Sequence, residues 1–428
     1  GAAPRPSSRA LRRPPAPMTD AADDRPTRAA PAAAGFIVVT VAIDAMGIGL
    51  ILPVMPELLA EIGGLSVSEA ALWGGRLAFA YAVMQFLCGP LLGMLSDRFG
   101  RRPVLLLSLA ALAVDYVVMS LAGTLWLLVV TRVIAGAAGS SFATANAWLA
   151  DVSPPERRAA NFGLVGAGFG VGFVLGPALG GVLGEWGPRA PFLAAAALAA
   201  ANMAWGAFVL PESLPPARRR ALDLRRADPF SQIRAIGALP SLAPMLLGAG
   251  VYALAHAVYP AVWAYYAAAA FGWSPAAIGG SLAAVGVAMA LGQGLLIRGL
   301  LRWLGPVGTI AAGLAANVAT MLALAFPPGG WVVYAGLPLL AVGIVTGPAI
   351  NGVMSGRVGE DAQGRLQGVV ASLNGVTAIL SPLLFTGIFR AFTAADAPLR
   401  LPGAPFLAAA ALILLAAVPL ARGLQSKR

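Results

Sequence analysis

The stretch Gly93-Met94-Leu95-Ser96-Asp97-Arg98-Phe99-Gly100-Arg101-Arg102 decides how this chain folds. It lies between two long apolar segments, 74–95 and 103–122. Segments that cross a lipid bilayer can be joined by a tight turn only when the polar groups of that turn reach water or pair with one another. Two glycines permit close approach of the backbone, and one acid beside three arginines permits charge-assisted hydrogen bonds. The stretch therefore predicts a compact polar turn between two membrane-spanning helices.

The composition is that of a membrane protein. Of 428 residues, 59% are hydrophobic and 11% are charged, and the mean hydropathy is +0.80. A soluble chain of this length would carry about a quarter charged residues. The net charge of +11 comes from arginines in short runs between apolar segments, a distribution that follows membrane topology and not a nucleic-acid-binding face. The sequence therefore predicts the lipid bilayer as a partner and excludes nucleic acid.

Twelve apolar segments follow a polar tail, and each has about the 20 residues that span a bilayer. We number them spans 1–12, in order at 35–59, 72–95, 103–122, 125–149, 161–184, 190–210, 241–268, 276–298, 306–326, 331–354, 366–390 and 402–421. They predict an all-α polytopic membrane protein. Its parts are a disordered cytoplasmic tail 1–34, an N-terminal six-helix bundle 35–210, a cytoplasmic linker 211–240, a C-terminal six-helix bundle 241–421 and a cytoplasmic tail 422–428.

The two six-span halves repeat at a constant offset of 205 residues. The offset maps Gly100 onto Gly305 and Pro177 onto Pro382, which indicates a duplicated unit of the kind found in parallel-repeat transporters. With the N-terminus inside, 24 of the 29 arginines and lysines fall in cytoplasmic segments. The positive-inside rule then places both termini in the cytoplasm.

Three charged side chains lie well inside the predicted spans of the first half, away from the span ends. Asp44 is in span 1, Asp115 in span 3 and Arg132 in span 4. An ionised side chain in lipid is costly, so each is expected to face a cavity or to pair. Because arginine does not deprotonate, Arg132 can hold a carboxylate ionised until a proton or a substrate displaces it. The alternative is a static buried ion pair that fixes helix packing.

Polar side chains without charge also lie inside the spans, and each can line a cavity or bond two helices together. His256 in span 7 is the only histidine, for which we prefer neutral helix packing to a titrating role. No P-loop, zinc-ligand spacing or nucleophile motif rises above chance, so we predict neither an enzyme nor a cofactor nor a metal site. The candidates for a substrate cavity are Gln85, Asn146, Asn202, Gln293, Asn317 and Asn351.

The turn around Asp97 resembles the signature loop of the major facilitator superfamily, in which it acts as a cytoplasmic conformational latch. The resemblance implies a latch built from Gly93, Asp97, Arg98, Gly100, Arg101 and Arg102, whereas the simpler interpretation is an ordinary basic turn. Arg132 lies where that family has its proton-coupling signature, which implies a coupling site formed with Asp44 and Asp115. Span 5 has a glycine at every fourth position from 168 to 184 and resembles the helix-5 motif of the superfamily's antiporters. Its motif residues are Gly172, Gly176, Pro177, Gly180 and Gly181, and the alternative is close packing alone.

Nearly the whole chain after the tail is similar to the tetracycline/proton antiporters of the drug-exporting branch. Matching segments are 44–50, 96–103 and 364–368, together with Asp151. The likeness implies a monomeric, proton-coupled exporter of small amphiphilic molecules in a bacterial inner membrane. Met289 and Asn317 stand where those pumps carry a histidine and an aspartate, so coupling is expected in the first half. The alternatives are a proton-coupled metabolite transporter and a receptor or scaffold that kept the fold.

Overall fold

The structure, a computed structural model, describes residues 30–139, 141–222, 228, 230 and 239–425. Most of the predicted tail 1–34 and parts of the linker lie outside the described residues. Eleven helical stretches of the described chain are long and apolar enough to cross a membrane, and one of them, Pro275–Ala325, has 51 residues. Gly305 interrupts that stretch with a φ of 67°, so it supplies two crossings. The predicted all-α fold with twelve spans is confirmed.

The first half of the fold contains spans 1–6. Span 1 bends at Pro53, where a short 3₁₀ turn separates its two helices, and span 4 leaves helical geometry at Gly139. Span 2 begins with a capping box, in which Ser66 and Glu69 satisfy each other's backbone N–H groups. The helices are Ala30–Ile51 with Met55–Gly63, Val67–Phe99, Arg101–Leu121, Leu125–Ala138 with Ser141–Val152, Pro155–Gly184 and Ala190–Val209.

The second half contains spans 7–12, three of which depart from the continuous helices that the sequence predicts. Span 7 is broken at Ala257, span 8 contains a π-helical turn at Gly292–Leu296, and span 10 is divided at Gly336 and Val345. The helices are Ala243–His256 with Val258–Phe271, Pro275–Leu291, Ile297–Ala325 on both sides of Gly305, Trp331–Ala335 with Leu337–Ile344 and Thr346–Ser355, Glu360–Ala391, and Ala404–Gln425.

Several helices are longer than their apolar segments. Span 1 begins at Ala30, inside the predicted tail, and span 12 continues to Gln425. Spans 5 and 11 begin at Pro155 and Glu360, each with a polar first turn ahead of the apolar residues. Hydropathy marks only the lipid-embedded part of a helix, whereas the backbone remains helical into the polar headgroup region.

The two ends of the molecule carry different polar contacts. We call the end that bears the turn 96–102 the latch end, and the opposite one the far end. At the far end, Arg189 pairs with Glu61 at 2.9 Å and donates a hydrogen bond to the Ser120 carbonyl oxygen. These contacts join the ends of spans 1 and 3 to the loop after span 5. A chain that crosses the membrane back and forth brings these three places to the same side.

The two halves meet at the far end. Ser68, at the start of span 2, donates a 2.7 Å hydrogen bond to the hydroxyl of Thr393, just after span 11. The backbone N–H of Ala276, at the start of span 8, donates to the Glu185 carboxylate at 3.1 Å after span 5. Spans 2 and 11 and spans 5 and 8 therefore form the interface between the halves.

Small residues let the backbones of this interface approach closely. A Cβ atom added to Gly279 would lie 2.1 Å from the carbonyl oxygen of Pro177, and one added to Gly75 would lie 3.0 Å from that of Pro382. The offset of 205 residues relates the two prolines, and it relates the two glycines to within one position, so the contacts lie at corresponding places in the internal repeat. Nearer the latch end, Cβ atoms added to Gly93 of span 2 and Gly170 of span 5 would meet no atom within 4 Å. The halves therefore touch through their backbones at the far end, whereas these two glycines nearer the latch end have no such neighbour among the described residues.

Candidate functional site

A buried ion pair joins spans 3 and 4 in the first half. The guanidinium of Arg132 contacts the carboxylate of Asp115, whose side chain is 3% exposed. The same guanidinium lies over the ring of Tyr81, 5.5 Å from its centre. Of the two aspartates predicted to serve Arg132, the structure thus brings Asp115 into contact. Because both charges are buried, removal of either would leave the other uncompensated.

The break in span 4 lies two turns beyond Arg132. The carbonyl oxygen of Gly139 accepts a 3.2 Å hydrogen bond from Nε2 of Gln85, which also donates to the Tyr81 hydroxyl at 3.3 Å. An added Cβ at Gly136 would lie 2.4 Å from the Tyr81 carbonyl oxygen, so spans 2 and 4 touch here through their backbones. Non-helical backbone within a membrane protein occurs where it is buried in protein or lines a cavity. Gln85 is itself exposed, as its predicted place in a cavity requires.

Asp44 is buried in span 1, with 9% of its surface exposed. Among the described residues no arginine or lysine pairs with it, and neither oxygen of its carboxylate has a hydrogen-bond partner. An added Cβ at Gly47, one turn along, would lie 3.1 Å from the Tyr116 hydroxyl. Inside its spans, the first half therefore holds one carboxylate paired with an arginine, Asp115, and one without a cation, Asp44.

Of the predicted latch residues, Asp97 and Arg101 form an ion pair at the latch end, whereas Gly93 lies within the helix of span 2. Arg101 bridges two acids, with Nη1 2.6 Å from Asp97 and Nε 3.1 Å from Asp151 at the end of span 4. Gly100 has a φ of 110°, which favours glycine, and it separates the helices of spans 2 and 3. Arg98 lies instead over the ring of its neighbour Phe99. Arg102 donates a side-chain hydrogen bond to a carbonyl oxygen of span 6.

The glycine stripe of span 5 packs against span 1. Cβ atoms added to Gly172, Gly176 and Gly180 would lie 2.0, 2.5 and 2.1 Å from carbonyl oxygens of span 1, those of Ala42, Met46 and Leu50 respectively. The spacing of four residues on both helices shows matched ridges and grooves along their whole contact. Gly181 faces the other way, toward the start of span 8. Three of the predicted motif residues thus pack against span 1 within the first half, and Gly181 packs against span 8 across the interface.

Two of the predicted cavity residues lie inside the helix packing, so their assignment to a cavity is wrong for this structure. Asn202, 1% exposed, accepts a hydrogen bond from Thr40 of span 1. Asn317 is fully buried and donates to the carbonyl oxygens of Gly313 and Gly343 in spans 9 and 10. An amide buried in an apolar bundle needs such partners. By contrast, Gln293 is exposed, and Asn146 and Asn351 are partly so.

The second half offers few titratable groups in its interior. Met289 packs against an apolar cluster with Leu340 and Ile344. His256 lies between the rings of Tyr252 and Tyr259, with centre-to-centre distances of 5.7 and 5.3 Å. Its Nε2 atom is buried without a hydrogen-bond partner among the described residues. This environment agrees with the packing histidine that we prefer from the sequence.

One contributor to the latch end does not emerge from the sequence pattern. Glu212, just after span 6, accepts hydrogen bonds from the backbone N–H groups of Arg101 at 2.8 Å and Arg102 at 3.3 Å. The only local signal is an acid in the sequence Leu210-Pro211-Glu212-Ser213, directly after an apolar span. Its partner lies 111 residues earlier in the chain, so spacing along the sequence does not reveal it.

Twelve spans in two similar halves, which touch at one end, with an ion pair buried inside the first half, define a multi-pass membrane transporter fold. The family model of the Major Facilitator Superfamily matches residues 37–382, and the chain belongs to that superfamily.

Known proteins agree with this assignment. The chain is 40% identical to the class C tetracycline resistance protein of Escherichia coli over 388 residues, which cover 91% of this chain and 96% of that protein. It is similar to the crystal structure of the human organic anion transporter MFSD10 (TETRAN), with a TM-score of 0.66, 26% identity and coverage of 91% and 99%. An inward-facing, occupied bacterial homologue of the lysosomal transporter Spinster matches with a TM-score of 0.73 at 17% identity, with coverage of 92% and 96%.

Proposed function

We propose that this protein is a proton-coupled exporter of small amphiphilic drugs that works by alternating access, with tetracycline-like molecules as the first candidates. The observation that carries the proposal is the buried Asp115–Arg132 pair beside the interrupted span 4. Arginine does not deprotonate, so it can hold a neighbouring buried carboxylate in the ionised form. The carboxylate then has an ionised state, paired with the arginine, and a neutral state, which differs from it by one proton. Its relatives are tetracycline resistance proteins over nearly their whole length, so a metabolite transporter or a receptor is not favoured.

The proposed cycle uses the two ends of the molecule. The latch end, with its arginines, lies in the cytoplasm together with both termini, by the positive-inside rule. The far end, where the halves touch, then faces the outside of a bacterial inner membrane. Drug enters from the cytoplasm, the halves rock about their interface, and protonation of a first-half carboxylate from outside accompanies release. One chain contains both halves, so we propose that the monomer is the working unit.

The two halves make different contributions to the proposed transport site. Met289 and Asn317 replace titratable groups of the tetracycline pumps, and here the methionine packs in an apolar cluster while the side-chain NH2 of the amide donates to the carbonyl oxygens of Gly313 and Gly343. The second half therefore contributes shape and apolar contact, and the charge chemistry stays in the first half.

Everted membrane vesicles test the proposal. Vesicles energised by respiration are given tetracycline, and the internal pH is followed with a fluorescent weak base. Drug uptake should be accompanied by proton release from the vesicles, and both should stop when an ionophore collapses the gradient. Vesicles that carry the Asp115→Asn variant at equal abundance provide the matched control. Drug uptake that survives full collapse of the pH gradient and the membrane potential would refute proton coupling.

A further inference from the structure

We propose that Glu212 is a positioning residue of the latch and that segment 211–220 of the linker is a strap that holds the latch turn in its working geometry. This inference rests on the proposed transport function. It starts from the carboxylate of Glu212, which accepts three backbone N–H groups, from Arg101 at 2.8 Å, from Arg102 at 3.3 Å and from Leu214 at 3.0 Å. Arg101 and Arg102 are the first two residues of the helix of span 3. The first four N–H groups of a helix lack partners within it, and the helix dipole favours a negative charge at this end.

The close approach of Glu212 explains a second property of the turn. A Cβ atom added to Gly100 would lie 2.1 Å from Oε2 of Glu212. Gly100 is therefore required both by its φ of 110° and by the acid that fills the space beside it. The sequence pattern of the latch and an acid far along the chain belong to one packed unit.

The rest of the strap contacts the latch on both sides. The backbone N–H of Arg220 donates to the carbonyl oxygen of Asp97 at 3.1 Å. The hydroxyl of Ser213 donates at 3.2 Å to the same carboxylate oxygen of Asp151 that Arg101 contacts. The indole N–H of Trp148, a fully buried residue of span 4, donates to the Pro211 carbonyl oxygen at 2.9 Å. The strap thus links the ends of spans 2, 4 and 6 to the start of span 3.

This arrangement gives Glu212 a specific task. Arg101 can bridge Asp97 and Asp151 only if the start of span 3 holds its backbone in place, and the two Glu212 hydrogen bonds fix that start. Glu212 contacts the latch through backbone groups and therefore acts by positioning Arg101.

The test combines transport kinetics with proteolysis. In everted vesicles, Glu212→Gln should lower the maximal rate of tetracycline uptake about tenfold or more, the scale of one lost hydrogen bond to a charged group, with KM unchanged within about twofold. The double variant with Asp97→Asn should be no slower than Asp97→Asn alone, because coupled residues are not additive. Limited trypsin digestion should cut the run of arginines 218–220 faster in Glu212→Gln, because release of the strap makes local unfolding easier.

Controls keep the outcomes distinct. Glu61→Gln removes an acid at the far end and should change neither rate nor cleavage, and Glu212→Asp, which keeps the charge on a shorter side chain, should be intermediate. Faster cleavage with wild-type transport kinetics, or additive effects with Asp97→Asn, would overturn the positioning role. Unchanged cleavage would overturn the strap itself. Cleavage is measured without substrate, so it also tests the strap if wild-type vesicles fail to transport drug, a result that would count against the proposed function alone.

Discussion

Gly279 in span 8 offers a direct way to shift the protein between its two states. Its Cα faces the carbonyl oxygen of Pro177, and an added Cβ would lie only 2.1 Å from that oxygen. Such contacts essentially never fall below 3.0 Å, so Gly279→Ala requires the two backbones to move apart by at least about 0.9 Å. This contact joins the two halves at the far end. It therefore exists only in the state in which that end is closed.

The expected size of the effect follows from this geometry. Forcing one extra carbon into a well-packed contact costs about 1–3 kcal/mol. If the cost falls on the far-end-closed state alone, the population moves toward the far-end-open state by about 5–150-fold. A substitution that strained both states equally would shift nothing.

Labelling of a single cysteine measures this shift. Ser68 is 6% exposed and bonds to Thr393 across the closed interface, so Ser68→Cys in a Cys88→Ser background reports opening of the far end. Intact cells are treated with a membrane-impermeant maleimide, and Gly279→Ala should accelerate labelling. The matched control is Gly280→Ala, because an added Cβ at the next residue meets no atom within 4 Å. Equal labelling rates in the two alanine variants would refute the assignment of this contact to one state.

Three further predictions concern the latch, the glycine stripe and the ion pair. Asp97→Asn should nearly abolish transport in everted vesicles while leaving folding and drug affinity broadly intact, whereas Glu61→Gln transports normally; wild-type turnover in the asparagine variant would remove the latch from the mechanism. Gly172→Ala places a Cβ 2.0 Å from a backbone oxygen of span 1 and should lower stability in thermal unfolding by about 1–3 kcal/mol, whereas Gly170→Ala should not, and equal melting curves would contradict the packing. Arg132→Leu leaves its buried carboxylate partner unpaired and should cost about 3–5 kcal/mol in the same assay, so an unchanged melting curve would show that the pair is not buried as described.

Much of the latch end could be predicted from sequence. Asp97 and Arg101 are four residues apart, a spacing at which side chains meet on a helix, and Gly100 supplies the positive φ of the turn that follows span 2. The break at Gly305 lies in the gap between the predicted spans 8 and 9. These features are local, so neighbouring residues determine them.

The remaining features depend on how the helices are rotated and which of them touch. Asn202 and Asn317 were assigned to a cavity, but each bonds within its own half. Spans that are apolar all around give no hydrophobic stripe from which to read the buried face. For the same reason, the sequence alone does not decide whether Asp44 or Asp115 is the partner of Arg132. The contact of Glu212 with the turn joins residues that are distant in sequence, so no local pattern predicts it.

The central claim is that the proton is carried in the first half. Proteoliposomes that contain Asp44→Asn, Asp115→Asn or His256→Ala can be compared for two activities, uphill accumulation of tetracycline driven by a proton gradient and downhill exchange of labelled for unlabelled drug. Each aspartate variant should lose uphill accumulation yet retain exchange, and His256→Ala should resemble the wild type in both. Loss of uphill accumulation in the histidine variant, with coupling intact in both aspartate variants, would place the proton carrier in the second half and contradict the account.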